Sequence, residues 1–318
     1  MKVSVVVPVY NEEGNLPEFL RRLTAVMDGR GEPYEVILVN DGSRDGSLAV
    51  LLDWTARRPD RIRAVDLSHN FGQHQAILAG FRDVTGDVAV TLDADLQNPP
   101  EEIPKLLAKV EEGYDVVGGV RRGRQDSIFR RAASLAVNRM TVAITRMKLT
   151  DFGCMLRAYS REIVEEINQC DEASTFLPAL GQSFARRPTE IEVAHAPRTA
   201  GESAYSLYRL IRLNFDLMTG FSVVPLQLVS LIGTLVALGG IAFGIFLLVR
   251  RLIVGAEVEG VFTLFAILFA VLGIAMLGLG IVGEYVGRIY QQVRGRPRFR
   301  VRAVYGLNAG SSKKEATR

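Results

Sequence analysis

Two carboxylates one residue apart, Asp93 and Asp95, follow an apolar run in DVAVTLDADLQ. At the end of an extended strand, residues i and i+2 point to the same side. The pair then forms a hard oxygen site of the kind Mg2+ or Mn2+ takes, with positions left for phosphate oxygens and water. A nucleotide-sugar donor needs such an ion, because its diphosphate leaving group gains charge as the glycosidic bond breaks. A cation neutralises that charge without a proton transfer. The same D-x-D can also be read as an acidic turn capping the next helix. Asp41-Gly42-Ser43 closes a second apolar run, YEVILVN. Its carboxylate suits hydrogen bonds from a base or ribose, with the glycine permitting close backbone approach, or it suits an N-cap. Asn11-Glu12 follows the first run, VSVVVPVY, and serves either purpose.

These groups need a frame. Residues 3–10, 34–43, the run IRAVDLS and residues 87–97 read as strands, and NEEGNLPEFLRRLTAVM, LAVLLDWTARR and HQAILAGFRDV read as the helices between them. Alternation of this kind predicts an α/β fold with a mostly parallel sheet and helices on both faces. Ligands bind such sheets beyond the carboxyl ends of the strands, where Asn11, Asp41, Asp93 and Asp95 all fall. No G-x-G-x-x-G follows the first strand, and neither a Walker A pattern nor H-E-x-x-H occurs, which argues against dinucleotide, P-loop and zinc-protease chemistry. With three histidines and two cysteines, Cys154 and Cys170, a zinc site and a disulfide framework are both disfavoured. His74, at the start of a helix, suits either a diphosphate contact or a structural hydrogen bond.

The chain has 318 residues, 48% of them hydrophobic, and a net charge of +3. The apolar residues concentrate late, in uncharged stretches at about 225–249 and 261–283. Each reaches the ~20 residues that span a bilayer core and lacks a polar face. Two transmembrane helices are therefore expected over 225–287, packed through their glycines. Arg288, Arg294, Arg296, Arg298, Arg300 and Arg302 make the tail the more basic side, against Arg250, Arg251, Glu257 and Glu259 in the connection. The positive-inside rule puts the tail, and with two spans the N-terminal domain, on the cytoplasmic side. Met1 leads directly into the first strand without a signal peptide. The expected layout is a catalytic domain over 1–200, an interfacial amphipathic region over 201–224, the spans, and a basic cytoplasmic tail over 288–318. SIFRRAASLAVNRMTVAITRMK and SLYRLIRLNFDLM read as basic amphipathic helices, on the sheet or at the membrane interface. In RGRPRFRVR the arginines alternate as on a strand, so the tail is expected to add an edge strand to its own or a neighbouring protomer's sheet.

VVVPVYNEEGNL, the DGS, NFGQHQAILAGF and LDADLQNPPEEIP together resemble family 2 glycosyltransferases of the Rossmann-like GT-A fold. With two C-terminal spans, the resemblance narrows to the polyprenyl-phosphate branch. DFGCMLRAYSREIV, STFLPALGQSFARR and GEYVGRIYQQVRGRPR extend it over nearly the whole chain, toward those members that hand 4-deoxy-4-formamido-L-arabinose from UDP to undecaprenyl phosphate for lipid A modification and polymyxin resistance. The resemblance implies an inverting transferase in a bacterial inner membrane, with glucose or mannose as alternative sugars; a membrane-tethered nucleotide-sugar binder is the non-enzymatic alternative. It implies that Pro8, Tyr10, Glu12 and Asp41 hold the uridine, that Asp93, Asp95 and Gln97 hold metal and diphosphate, and that Arg121, Arg130 and Ser134 grip the lipid phosphate. Asp151 matches the family's aspartate that orients acceptor or sugar. Arg198 begins the family's R-x-x-G-x-S-K, here ending in Ala204 where relatives have lysine. Homotetramers occur among relatives, so an oligomer is expected and nucleic acid is not.

Overall fold

The computed structural model describes residues 1–121, 154–170, 176–195, 224–254, 261–294 and 297–306. The chain divides into two compact units, one built on a sheet and one on two long helices.

In the first unit β1 (Val3–Val9), β2 (Tyr34–Asn40), β3 (Ile62–Leu67) and β4 (Val88–Thr91) alternate with α1 (Leu16–Gly29), α2 (Ser47–Arg57) and α3 (Gln73–Phe81). A short 3-10 turn and α4 (Ile103–Glu111) lead to β5 (Val116–Arg121). Then come β6 (Arg157–Ser160), α5 (Arg161–Gln169), α6 (Leu177–Phe184), β7 (Pro188–Val193) and finally β8 (Val301–Tyr305). The sheet has eight strands in the order β7-β5-β6-β4-β1-β2-β3-β8. Its centre, β3-β2-β1-β4, is parallel. β6 runs antiparallel to both β4 and β5, and β8 runs antiparallel to β3. The sheet is thus mixed, and the expectation of a mostly parallel sheet holds for its central four strands. The tail adds an edge strand to the chain's own sheet as expected, but over Val301–Tyr305, beyond most of the alternating arginines that suggested it.

β2 is buried at every position and β1 at all but Pro8, as strands covered on both faces must be. α1 turns Leu16, Phe19, Leu20, Leu23 and Met27 to the core, the spacing of one helix face, and Pro in its first turn suits its start. α3 lies close on the sheet at Gly80, where a Cβ would come within 2.5 Å of the Val6 side chain and 3.0 Å of Val39. That approach seats the amino end of α3 near the carboxyl ends of β1 and β2.

In the second unit α7 (Val224–Val254) and α8 (Val261–Val293) have 31 and 33 residues, roughly 45–50 Å each at ~1.5 Å per residue. Large apolar side chains stand exposed along both, Leu235 at 62% and Leu279 at 69% among them. Among the described residues one window, Ala270–Gly287, is long and apolar enough to cross a membrane, and Leu226–Gly240 is a shorter apolar stretch. The two basic amphipathic segments expected at about 127–148 and 206–218 lie outside the described residues.

Candidate active site

The strand order reverses at β1, which has β2 on one side and β4 on the other. A crevice at the carboxyl ends opens there in sheets of this kind. The loops that rim it are tied by side chains to each other's backbone. Asn11 Oδ1 accepts from the Arg44 N–H at 2.8 Å, and the Asn11 N–H donates to Ser43 Oγ at 3.1 Å. Glu13 accepts from the Gly46 N–H at 2.8 Å, and the Glu12 N–H donates to Ser47 Oγ at 2.9 Å. Asn11 has φ 55°, a left-handed conformation asparagine tolerates.

Asp41 is buried, and its carboxylate accepts from the Phe71 N–H at 2.7 Å and the Gly72 N–H at 2.9 Å. Burial raises its pKa, and the two backbone donors pull against that rise. Asp41 therefore clamps the loop before α3 as well as ending β2. Gly42 has φ +67°, and a Cβ there would sit 2.5 Å from the His69 backbone. Only glycine fits both the turn and the approach. Between these loops lies a pocket of ≈ 250 Å³, whose walls include Tyr10, Ser43, Arg44, His69, Asn70 and Arg302. It is smaller than the ~300–1,000 Å³ of a full ligand site, and suits one end of an extended ligand.

β4 ends at Thr91, so Asp93 and Asp95 stand on the turn beyond it rather than on the strand. The turn, not the pleat, brings the carboxylates together. The Gln97 N–H donates to Asp95 Oδ1 at 3.0 Å, and Leu96 takes φ 61°. A bulky residue there is strained, and strain of this kind gathers at ligand sites. Gln73, first residue of α3, donates its side-chain N–H to Asp93 Oδ1. Burial first, and then the neighbouring charge of Asp95, push Asp93 up to about 7; Glu12 pushes the same way, while Gln73 and Arg121 pull it down. Four ionisable groups from the ends of β1, β4 and β5 thus face one place.

The crowded pair fits a divalent ion: two hard oxygen donors, one of them pushed toward its protonated form by burial and then by its neighbour's charge, are what a cation relieves. Among the described residues no third His, Cys, Asp or Glu completes a set of three. The remaining ligands would come from phosphate and water, as is usual for Mg2+.

Of the expected site residues, the structure gathers Tyr10, Glu12, Asp41, Asp93, Asp95, Gln97 and Arg121 around this crevice. Tyr10 is 42% exposed and Pro8 is half-buried within β1. Arg130, Ser134, Asp151 and Arg198 lie outside the described residues. His74 packs edge-on against Phe176 with its Nδ1 buried and without a hydrogen-bond partner, so the ring serves the interior and makes no structural hydrogen bond through that atom. Three contributors were not expected. Gln73 sits within NFGQHQ, the stretch that follows β3, and His69 lines the pocket. Arg302 lines it too, and its only sequence signal was the alternation of the tail arginines.

The model of the Glycosyl transferase family 2 matches residues 4–167. Two curated relatives named undecaprenyl-phosphate 4-deoxy-4-formamido-L-arabinose transferase come from strains of Klebsiella pneumoniae. They are 52% and 51% identical over 316 residues, 99% of this chain and 97% of each relative. Among solved structures, glucosyl-3-phosphoglycerate synthase from Mycobacterium tuberculosis, in complex with Mn2+, UDP and phosphoglyceric acid, is similar at a TM-score of 0.48 and 18% identity, over 69% of this chain and 76% of that one.

Proposed function

Because this chain belongs to the family 2 glycosyltransferases, we propose that it transfers 4-deoxy-4-formamido-L-arabinose from a UDP donor to undecaprenyl phosphate, with inversion at the anomeric carbon. The observation that carries the reading is the coupled acidic pair Asp93 and Asp95 beyond β4, with a pocket beyond β2 and β3 on the other side of β1. The choice of sugar and lipid is supported by relatives of that name, similar over 99% of the chain.

β4 and β2 flank β1, so their ends stand about 10 Å apart at ~4.8 Å per strand. That separation suits a nucleoside diphosphate laid across the crevice, base toward β2 and β3, diphosphate toward β4. Asp93 and Asp95 would hold Mg2+ or Mn2+, which supplies positive charge to the leaving diphosphate. Tyr10, Asp41 and Pro8 frame the uridine. Gln73 holds one carboxylate oxygen of Asp93 and leaves the other for the ion. Glu12 sets the local charge, and the turn through Gln97 fixes Asp95.

In the reaction a phosphate oxygen of the lipid bonds to the anomeric carbon as the bond from that carbon to the UDP oxygen breaks. The attacking phosphate is mostly ionised near neutral pH, so the demand is for alignment rather than for a base. Arg121, at the end of β5, with Arg130 and Ser134, binds that phosphate; a guanidinium fork matches its oxygens. Asp151 orients acceptor or sugar, and Arg198 binds the donor. α7 and α8 are read as a two-span hairpin that keeps the domain on the cytoplasmic face of the inner membrane, in a homo-oligomer. Their exposed leucines support burial in lipid rather than water.

The test is transfer by the purified chain, with undecaprenyl phosphate, Mg2+ or Mn2+, and a panel of UDP-sugars. Lipid-linked product from the formamido-arabinose donor alone is expected, falling at least about a hundredfold in Asp95→Asn. Product from UDP-glucose instead would retain acceptor and site but change the sugar. Tight UDP binding with no lipid product from any donor would overturn transfer itself.

A further inference from the structure

β8 follows α8 in the chain and returns to the sheet beside β3. Its pairing is regular from Ala64–Tyr305 through Asp66–Ala303, and then Leu67 pairs with Val301. Arg302 is the residue left over, the extra member of a β-bulge. Bulges bend a strand and re-aim the side chain they carry, and they recur beside active sites. The re-aimed side chain is a wall of the ≈ 250 Å³ pocket that also takes in Tyr10, Ser43, His69 and Asn70.

The surroundings of the guanidinium leave it open to a ligand. Its nearest carboxylate is Asp66, with Nη1 and Oδ2 3.9 Å apart; the Arg302 side chain is 73% exposed while that of Asp66 is 4% exposed. At that length and exposure the pair adds little to stability. Asp66 is already engaged, since Asn40 Nδ2 donates to it at 2.7 Å. The strand that carries Arg302 is anchored separately, by the ladder to β3 and by the Ser68 N–H donating to the Arg300 carbonyl at 2.9 Å. A five-donor planar group thus stands on a fixed strand, at a pocket rim, without a strong partner among the described residues.

We propose that Arg302 binds the nucleoside end of the donor, its guanidinium donating to a pyrimidine carbonyl or stacking on the ring. The reading rests on the nucleotide-sugar site proposed above and adds a contact from the far end of the chain. The β3–β8 edge lies on the opposite side of β1 from β4 and its carboxylates, so Arg302 serves the base rather than the diphosphate.

The experiment uses the full chain in detergent and measures UDP, uridine and pyrophosphate binding by calorimetry, with Mg2+ present. Arg302→Ala is expected to weaken UDP and uridine alike, by about ten- to a hundredfold, the scale of one hydrogen bond from a charged donor, and to leave pyrophosphate unchanged. Arg302→Lys, which keeps the charge but loses the fork, should recover only part of the loss. A melting temperature equal to wild type would show that the strand itself is intact. Unchanged UDP and uridine affinity in Arg302→Ala would overturn the assignment, and so would a loss confined to pyrophosphate. Wild-type protein that binds no UDP would instead remove the nucleotide reading on which the assignment rests.

Discussion

At the scale of single residues, the site works by holding carboxylates where water would normally separate them. Asp93 shows the cost. Its pKa is pushed up to about 7 by burial and by Asp95, so without an ion it is about half protonated at neutral pH. A carboxyl must lose its proton to ligate a metal. Mn2+ affinity should therefore climb as pH rises from 6 to 8 and level off above, with proton release falling over the same range; calorimetry in buffers of different ionisation enthalpy reads both. A flat profile would show that Asp93 is not a ligand. For folding the direction is opposite. An acid whose folded pKa lies above its unfolded value of about 4 contributes stability at low pH that is lost as pH rises through about 7. Asp93→Asn should then raise the melting temperature of the metal-free protein at pH 8 by about 2–4 °C and by less at pH 5. His74 titrates in the other sense. Burial first, and then the charge of Arg157, lower it to about 4. Below its unfolded value of about 6.5 the unfolded chain takes a proton that the folded ring refuses. Stability is full above pH 6.5 and drains as pH falls toward 4, by up to about 3 kcal/mol. His74→Phe keeps the packing on Phe176 and removes an unpartnered Nδ1; melts at pH 7 and 4.5 should show a smaller drop than in wild type. Equal drops would place the acid sensitivity elsewhere.

At the scale of elements, the lacing of loops decides what the strand ends can do. Gly42 is the tightest point, with φ +67° and the His69 backbone 2.5 Å from where a Cβ would lie. Gly42→Ala adds a left-handed alanine, worth roughly 1–2 kcal/mol, and forces the loop carrying His69 and Asn70 off the pocket. The expected result is a lower melting temperature with weaker UDP binding; unchanged binding would detach that loop from the nucleotide. Much of this frame was legible in the sequence. Four apolar, largely β-branched runs, three of them leading into Asn or Asp, mark strands whose polar ends share one edge, because a parallel sheet puts all carboxyl ends together. What was not legible lies where local signal is weak. β6 is only Arg157–Ser160, with a buried arginine in it, and β7 opens on proline and carries two glutamates. β6 is too short to show a period, and the alternation in β7 is only four residues long after its proline; each is a strand because β4 and β5 offer it an edge. The turn at Asp93–Asp95 likewise depends on the short reach of β4 and the strained Leu96. The bulge at Arg302 is set by pairing with a strand more than 230 residues earlier in the chain, across Asp66 and Leu67.

At the scale of the whole molecule, the pairing of β8 with β3 constrains the membrane topology. Both strands belong to one sheet, so residues 62–67 and 301–305 stand on the same side of any bilayer. The number of crossings between them must be even. One window alone, Ala270–Gly287, meets the length and apolarity of a span among the described residues, and a single crossing is incompatible with the sheet. If α8 crosses, a second segment must cross too, and α7 supplies 31 helical residues with exposed leucines. The alternative is a hairpin that dips into one leaflet and returns, with no crossing at all. The two differ at the connection between the helices. Single cysteines at Gly14 and Tyr305, both exposed, and at Ala256 in the connection separate them, in a chain whose half-exposed Cys170 is replaced by serine. In right-side-out bacterial vesicles a membrane-impermeant maleimide should reach Ala256→Cys and neither of the others. In inverted vesicles it should reach Gly14→Cys and Tyr305→Cys and not Ala256→Cys. Labelling of all three from the inverted side alone would mean that the helices anchor without crossing. Labelling of Gly14→Cys and Tyr305→Cys from opposite sides would contradict the sheet, because a strand cannot pair with a partner across a bilayer.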